Sequence, residues 1–193
     1  MGYKAVFLDR DGTINEDPGY LGDPEQVNLF PYAGKALSIL KNELKFKLFV
    51  VSNQSGIARG LITEKQVISV NSRINVLLSK ENAKIDAFYY CPFHPDFSTP
   101  EESSCRKPSP EMIFKAAREN EIDLKLSYLV GDAVSDMECG NNANMKTVLV
   151  LTGYGNESFS ILQKENKIPT FVANNILDAA EIIKNDLSEN LVD

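Results

Sequence analysis

Two aspartates, Asp9 and Asp11, stand one residue apart in the run FLDRDGTIN, where a short apolar segment gives way to glycine and threonine. Matching chemistry recurs in Asp17-Pro18-Gly19-Tyr20, in Ser52-Asn53-Gln54-Ser55, in Arg106-Lys107, and in Asp132 with Asp136 one turn later. Hard oxygen donors such as Asp9, Asp132 and a backbone carbonyl suit Mg²⁺, which keeps several waters and meets substrate phosphate. A carboxylate beside such an ion can attack phosphorus and form an aspartyl-phosphate. A second acid can then protonate the leaving oxygen and afterwards take a proton from water. A small polar turn such as Ser52–Ser55 offers hydroxyl and backbone N–H groups to an anion. Phosphate-monoester hydrolysis needs up to ~10²¹-fold acceleration, so metal, lysine and donor turn must share the charge stabilisation. Asp9 ends its apolar segment and is the candidate nucleophile. Asp11, beside an ionised carboxylate that favours its protonated form, is the candidate acid/base.

Such groups must be carried to one place by the chain. The runs KAVFLD, KLFVVSN, IDAFYYC, SYLVGD, KTVLVLT and TFVAN have the length and β-branched or aromatic content of buried strands. Helical spacing lies between them. Ala36, Leu37, Leu40 and Leu44 follow Pro31, which suits a first-turn position. Thr63 and Gln66 form a capping box ahead of Val67, Val70, Ile74, Leu77 and Leu78. Ser109-Pro110 opens a third helix over Met112, Ile113, Ala116 and Ala117, and Ser135 with Glu138 reads as a capping box on a short fourth. A last helix runs near 176–187. Strands alternating with helices predict an α/β fold: a doubly wound, Rossmann-like parallel sheet flanked by helices, as one domain over 1–193. In such sheets ligands bind beyond the carboxyl ends of the strands, where all these polar residues fall.

The chain has 193 residues, 43% hydrophobic and 24% charged, ordinary for a globular protein. Its net charge of −7 argues against nucleic acid or an anionic membrane as partner, and no apolar run approaches the ~20 residues of a membrane span. MGYKAVFLDR lacks a signal-peptide pattern, and the expected location is cytoplasmic. Three cysteines, Cys91, Cys105 and Cys139, make a disulfide framework unexpected there. An acidic chain that receives an anion needs a local cationic feature, and Arg106-Lys107 provides one.

FLDRDGTIN, SNQSGIARG, CRKP and VGDAVSD, in that order, resemble the phosphatases of the haloacid dehalogenase superfamily. More narrowly, they are similar to heptose 1,7-bisphosphate phosphatases and their histidinol-phosphatase relatives, from about Tyr3 to Gly153. The resemblance implies Asp9 as nucleophile, Asp11 as acid/base, and Mg²⁺ on Asp9, the Asp11 carbonyl and Asp132, with Asp136 as outer support. It implies Ser52 and Lys107 on the transferring phosphoryl group, Arg106 gripping the rest of a sugar phosphate, and the Asp17–Tyr20 turn facing substrate. It further implies no separate cap domain, and a chain working as a monomer is expected. The favoured activity is removal of the C7 phosphate of a heptose bisphosphate, with histidinol-phosphate hydrolysis as the alternative. A receiver-like module without turnover also stays open, because SYLVGD supplies a late aspartate.

Blander readings compete at single positions. Asp-Arg-Asp-Gly alone is a common exposed turn. A calcium loop aligned on Gly12 fails, with Phe7 at the first ligand and Pro18 where glutamate is needed. Arg59 reads as fronting a solvated helix start, and Cys139 as a small buried residue. The stretch CPFHPDFSTPEESSCRKP resembles a family zinc loop that has lost half its donors, with Phe93 and Ser103 where ligands are wanted. Zinc normally takes four nitrogen or sulfur ligands, so zinc is not expected through Cys91, His94 and Cys105, nor is a Cys91–Cys105 disulfide in a reducing compartment. The loop body is expected to be held by packing around Phe93, Phe97 and its prolines.

Overall fold

A computed structural model describes residues 2–189. Six strands form one all-parallel sheet: β1 (Ala5–Leu8), β2 (Lys47–Asn53), β3 (Ala87–Cys91), β4 (Tyr128–Gly131), β5 (Lys146–Val150) and β6 (Phe171–Ala173). Their order is β3-β2-β1-β4-β5-β6. All six runs expected as strands are strands.

The helices are α1 (Ala33–Ser38), α2 (Glu64–Leu78), α3 (Pro100–Ser103), α4 (Glu111–Asn120), α5 (Val134–Asn142), α6 (Gly155–Lys164) and α7 (Ile176–Glu189). Side-chain alternation along β1 explains the two covered faces. Val6 and Leu8 pack with Leu37, Val70, Ile74, Ala179 and Ile183 on one side. Ala5 and Phe7 pack with Phe49, Met112, Ile113, Ala116 and Cys139 on the other.

Three local expectations are corrected. Pro31 is not in the first turn of α1; Tyr32, in the left-handed region at φ 67°, precedes the helix, which widens into a π turn over Ile39–Glu43. Ser135 and Glu138 do not box α5; instead the Asp136 carboxylate accepts from the Ala133 N–H at 3.0 Å. Helix α6 was not expected at all. The Thr63–Gln66 box is present, with Gln66 Oε1 accepting from the Thr63 N–H at 2.8 Å.

The chain winds outward from β1 through β2 to β3, then returns to β4 and winds the opposite way to β6. The reversal lies between β1 and β4, and a crevice opens there at the strands' carboxyl ends.

Candidate active site

Asp9 directly follows β1 and Asp132 directly follows β4, so the two central strands aim a carboxylate at the same crevice from either side of the reversal. Gly12, at φ +83°, turns the chain away from β1. A Cβ there would stand 2.1 Å from Asp132 Oδ2, so only glycine lets the two strand ends close on one another. Asp132 Oδ2 accepts from the Tyr154 N–H at 2.8 Å, which ties the loop after β5 to the site.

Lys107 is 4% exposed, and three groups surround its ammonium. Nζ lies 2.6 Å from Asp9 Oδ1, 2.6 Å from Asp136 Oδ1 and 2.8 Å from the Val51 carbonyl. Burial alone would lower its pKa, but Asp136 and Asp9 together hold it above the ordinary lysine value. The Asn53 side chain fixes the lysine's backbone, donating to the Lys107 carbonyl at 3.2 Å and accepting from its N–H at 3.0 Å.

Asp9, Asp132 and Asp136 each place an oxygen within 4.8 Å of one another. Among the described residues Lys107 is the cation paired with this trio. Burial raises the Asp9 pKa well above the carboxylate range, against the pull of Lys107. Burial and then Asp136 push Asp132 up to about 7. Three buried acids facing one ammonium carry surplus negative charge, and a hard divalent cation is the group that relieves it. The donor set fits Mg²⁺.

Ser52, next to last in β2, is buried, and its Oγ accepts from Gln54 Nε2 at 2.8 Å. Its hydroxyl proton is therefore free to donate into the crevice. Ser55 and Gly56 continue this wall. Asp17, Gly19 and Tyr20 form the outer lip, with Asp17 Oδ1 accepting from the Gly19 N–H at 2.8 Å. Burial raises the Asp17 pKa, which that hydrogen bond opposes. Pro18 is exposed and does not line the crevice. Arg106 lines it, with a buried Nη1 that has no hydrogen-bond partner among the described residues. Burial first, and then the neighbouring Arg59, lower the Arg106 pKa. The crevice measures about 480 Å³.

The sequence thus placed nearly every wall of this crevice. It missed Ser135 and Tyr154, which also line it. It also missed Arg10, whose charge inside a buried strand end was the one available signal.

The loop after β3 departs most from expectation. Cys91 and Cys105 are joined in a disulfide, their Cα atoms 5.5 Å apart, where no bond was expected. The cause is geometric: α3 and the turn after it fold the chain back onto the end of β3. His94 meets Arg59, with Nε2 3.2 Å from Nη2. The Arg59 guanidinium lies 4.8 Å over the Phe97 ring, so Arg59 is a clamp on this loop and not a solvated helix start. Phe93 packs into the core as expected, whereas Phe97 stays 54% exposed beneath the arginine. Cys139 is buried, its thiol pushed up to about 12 by burial. No helix among the described residues is long and apolar enough to cross a membrane.

A profile of the HAD-hydrolase-like family matches residues 104–179. The D-glycero-D-manno-heptose-1,7-bisphosphate 7-phosphatase of Chlorobaculum tepidum is 40% identical over 185 residues, covering 91% of this chain and 92% of that protein. The corresponding D-glycero-beta-D-manno-heptose enzyme of Escherichia coli K12 is 39% identical, covering 93% of each. Among solved structures, the D,D-heptose 1,7-bisphosphate phosphatase of B. bronchiseptica, complexed with magnesium and phosphate, superposes with a TM-score of 0.83. It is 27% identical and covers 95% of this chain and 99% of that one.

Proposed function

We propose that this chain, which belongs to the D-glycero-D-manno-heptose-1,7-bisphosphate 7-phosphatase family of HAD-like hydrolases, removes the C7 phosphate of such a bisphosphate through a phosphorylated Asp9. The observation that carries this reading is the meeting of Asp9, Asp132, Asp136 and Lys107 beside the Ser52 hydroxyl, at the reversal of the sheet.

Lys107 holds Asp9 Oδ1 and leaves the second oxygen to attack phosphorus in line with the leaving sugar oxygen. The Ser52 hydroxyl donates to a phosphoryl oxygen, and the Lys107 ammonium, held by its three acceptors, stabilises the charge moving onto the phosphoryl group by its proximity. Because Lys107 is pinned at both backbone and side chain, little reorganisation is needed at that moment. Asp11 gives its proton to the departing sugar oxygen. As a carboxylate it then takes a proton from the water that splits the acyl phosphate, which returns Asp9. Mg²⁺ held by Asp9, the Asp11 carbonyl and Asp132, with Asp136 behind, would neutralise phosphoryl charge and the mutual repulsion of the acids.

The far phosphate gives Arg106 a role. Its unpartnered Nη1 and its repulsion from Arg59 both favour a second anion at the mouth. Lysine on the reacting group and arginine on the distant one is how the pair divides a bisphosphate.

The test is phosphate release from heptose 1,7-bisphosphate, histidinol phosphate and hexose monophosphates, each with and without Mg²⁺. Mg²⁺-dependent turnover with the bisphosphate strongly preferred supports the reading. A preference for histidinol phosphate reassigns the substrate, and binding without turnover on any ester points to a receiver-like module.

A further inference from the structure

Arg10 lies between the two aspartates and heads the largest fully buried side chains of the protein, at 1% exposure. Its guanidinium grips Asp11 as a fork, with Nε 3.0 Å from Oδ1 and Nη2 2.7 Å from Oδ2. Two further donors are also engaged. Nη1 donates to Asn71 Oδ1 of α2 at 3.1 Å, and Nη2 to Gln54 Oε1 at 3.1 Å. Gln54 Nε2 in turn donates to Asp11 Oδ2 at 2.9 Å and to Ser52 Oγ at 2.8 Å. Asn15 Nδ2 completes the cradle, donating to Asp11 Oδ1 at 2.9 Å.

Buried arginine–carboxylate pairs rarely outdo well-packed apolar residues in stability, so their placement calls for another reason. Asp11 sits part-exposed at an open crevice, and an unsupported aspartate there would sample several rotamers. An acid/base has to meet its oxygen within hydrogen-bond reach, and small misplacement is costly in rate. A planar fork anchored at its far end on α2 fixes both carboxylate oxygens in one plane.

We propose that Arg10 is a positioning residue for Asp11, held by Asn71 and coupled through Gln54 to the Ser52 hydroxyl, so that proton transfer and phosphoryl binding share one buried hydrogen-bonded frame. This rests on the reading of Asp11 as the acid/base.

Leaving-group chemistry separates this role from a merely structural one. A sugar alkoxide must be protonated as it departs, whereas p-nitrophenolate leaves unaided. Arg10→Lys keeps the charge and loses the fork. It is expected to lower kcat/KM on heptose 1,7-bisphosphate, which reports formation of the aspartyl-phosphate, by about 10–100-fold, a fraction of the whole acid/base contribution. On p-nitrophenyl phosphate or acetyl phosphate kcat/KM should stay within about threefold, because neither leaving group needs the proton; only the later attack of water, common to all substrates, is slowed for them. Asp11→Asn should show the same selectivity at larger size, and the double variant should be no slower than Asp11→Asn alone. Asn71→Ala, which touches only the far end of the fork, should lower the sugar-ester kcat/KM selectively by about threefold, and it carries the test if Arg10→Lys does not fold. Losses in kcat/KM equal on both substrate types, or multiplying in the double variant, overturn the positioning role. If Asp11→Asn is itself unselective, the underlying acid/base reading has failed; if only Asp11→Asn is selective, Arg10 alone has been misassigned.

Discussion

The ends of β1 and β4 and the loop after β3 border the same crevice, but they are fixed in different ways. At the strand ends, position follows from the sheet, and each side chain is tied several times over: Lys107 to Asp9, Asp136 and the Val51 carbonyl, Asp132 to Tyr154. The loop from Cys91 to Cys105 relies on one covalent bond at its base and on the Arg59–His94–Phe97 cluster at its middle. Arg106 leaves this loop and Lys107 enters the strand-end network one residue later. The lysine should therefore tolerate damage to the loop, and the arginine should not. On the proposed reading, chemistry and substrate grip are then separable across a single peptide bond.

Five experiments press on that separation. The largest effect belongs to Asp9→Asn, which should reduce turnover by about 10⁴-fold or more with the fold intact, as the loss of a nucleophile does; substantial residual kcat would mean another group attacks. Lys107→Met comes next. It leaves buried acids without their cation, at a cost of about 3–5 kcal/mol in urea denaturation and with a kcat loss of about 10²–10³-fold.

Opening the loop should affect stability more than chemistry. Cys91 and Cys105 are 14 residues apart, and a ring of that size contributes about 3 kcal/mol. Cys91→Ser, or reduction by dithiothreitol, should lower stability by that order and raise KM, with kcat within about threefold. A kcat collapse comparable to that of Lys107→Met would erase the distinction between the regions. Elemental analysis of the purified protein should find well under one zinc per chain, and stoichiometric zinc released on Cys91→Ser would show the pair acting as ligands instead.

The smallest effect concerns charge in the strand-end trio. Asp132 has its folded pKa at about 7, above the ordinary 3.8. A raised acid contributes stability that is fully present below the unfolded value and lost as pH rises through the folded one. Metal-free protein should therefore lose stability between about pH 4 and 7 from this group. Saturating Mg²⁺ should raise Tm by about 3–6 °C at pH 8 and by clearly less at pH 5. An equal shift at both values would contradict the placement of the ion on these acids.

The same contrast explains what could be read from the amino-acid sequence. Asp9, Ser52 and Asp132 follow apolar runs whose length and composition mark them as strands, and a parallel sheet sends all such ends to one rim. Local spacing is enough there. Arg10 had no such marker, because its meaning depends on Asn71, 61 residues away on α2. Likewise, spacing between Cys91 and Cys105 does not reveal that α3 doubles the chain back, and the expectation from cellular redox state concerned compartment rather than distance. Helix α6 went unseen for a local reason: Tyr154 offers no capping side chain, and Gly155 packs where a Cβ would stand 1.9 Å from the Val150 carbonyl.

On the proposed reading this crevice directs one phosphate of a bisphosphate onto Asp9 and keeps the other away from it. Following D-glycero-D-manno-heptose 1,7-bisphosphate by ³¹P NMR with enzyme and Mg²⁺ tests this most directly. The C7 resonance should be replaced by one equivalent of inorganic phosphate while the C1 resonance persists, and nothing should change when Mg²⁺ is withheld. Loss of the C1 resonance first, or of both together, would contradict the account.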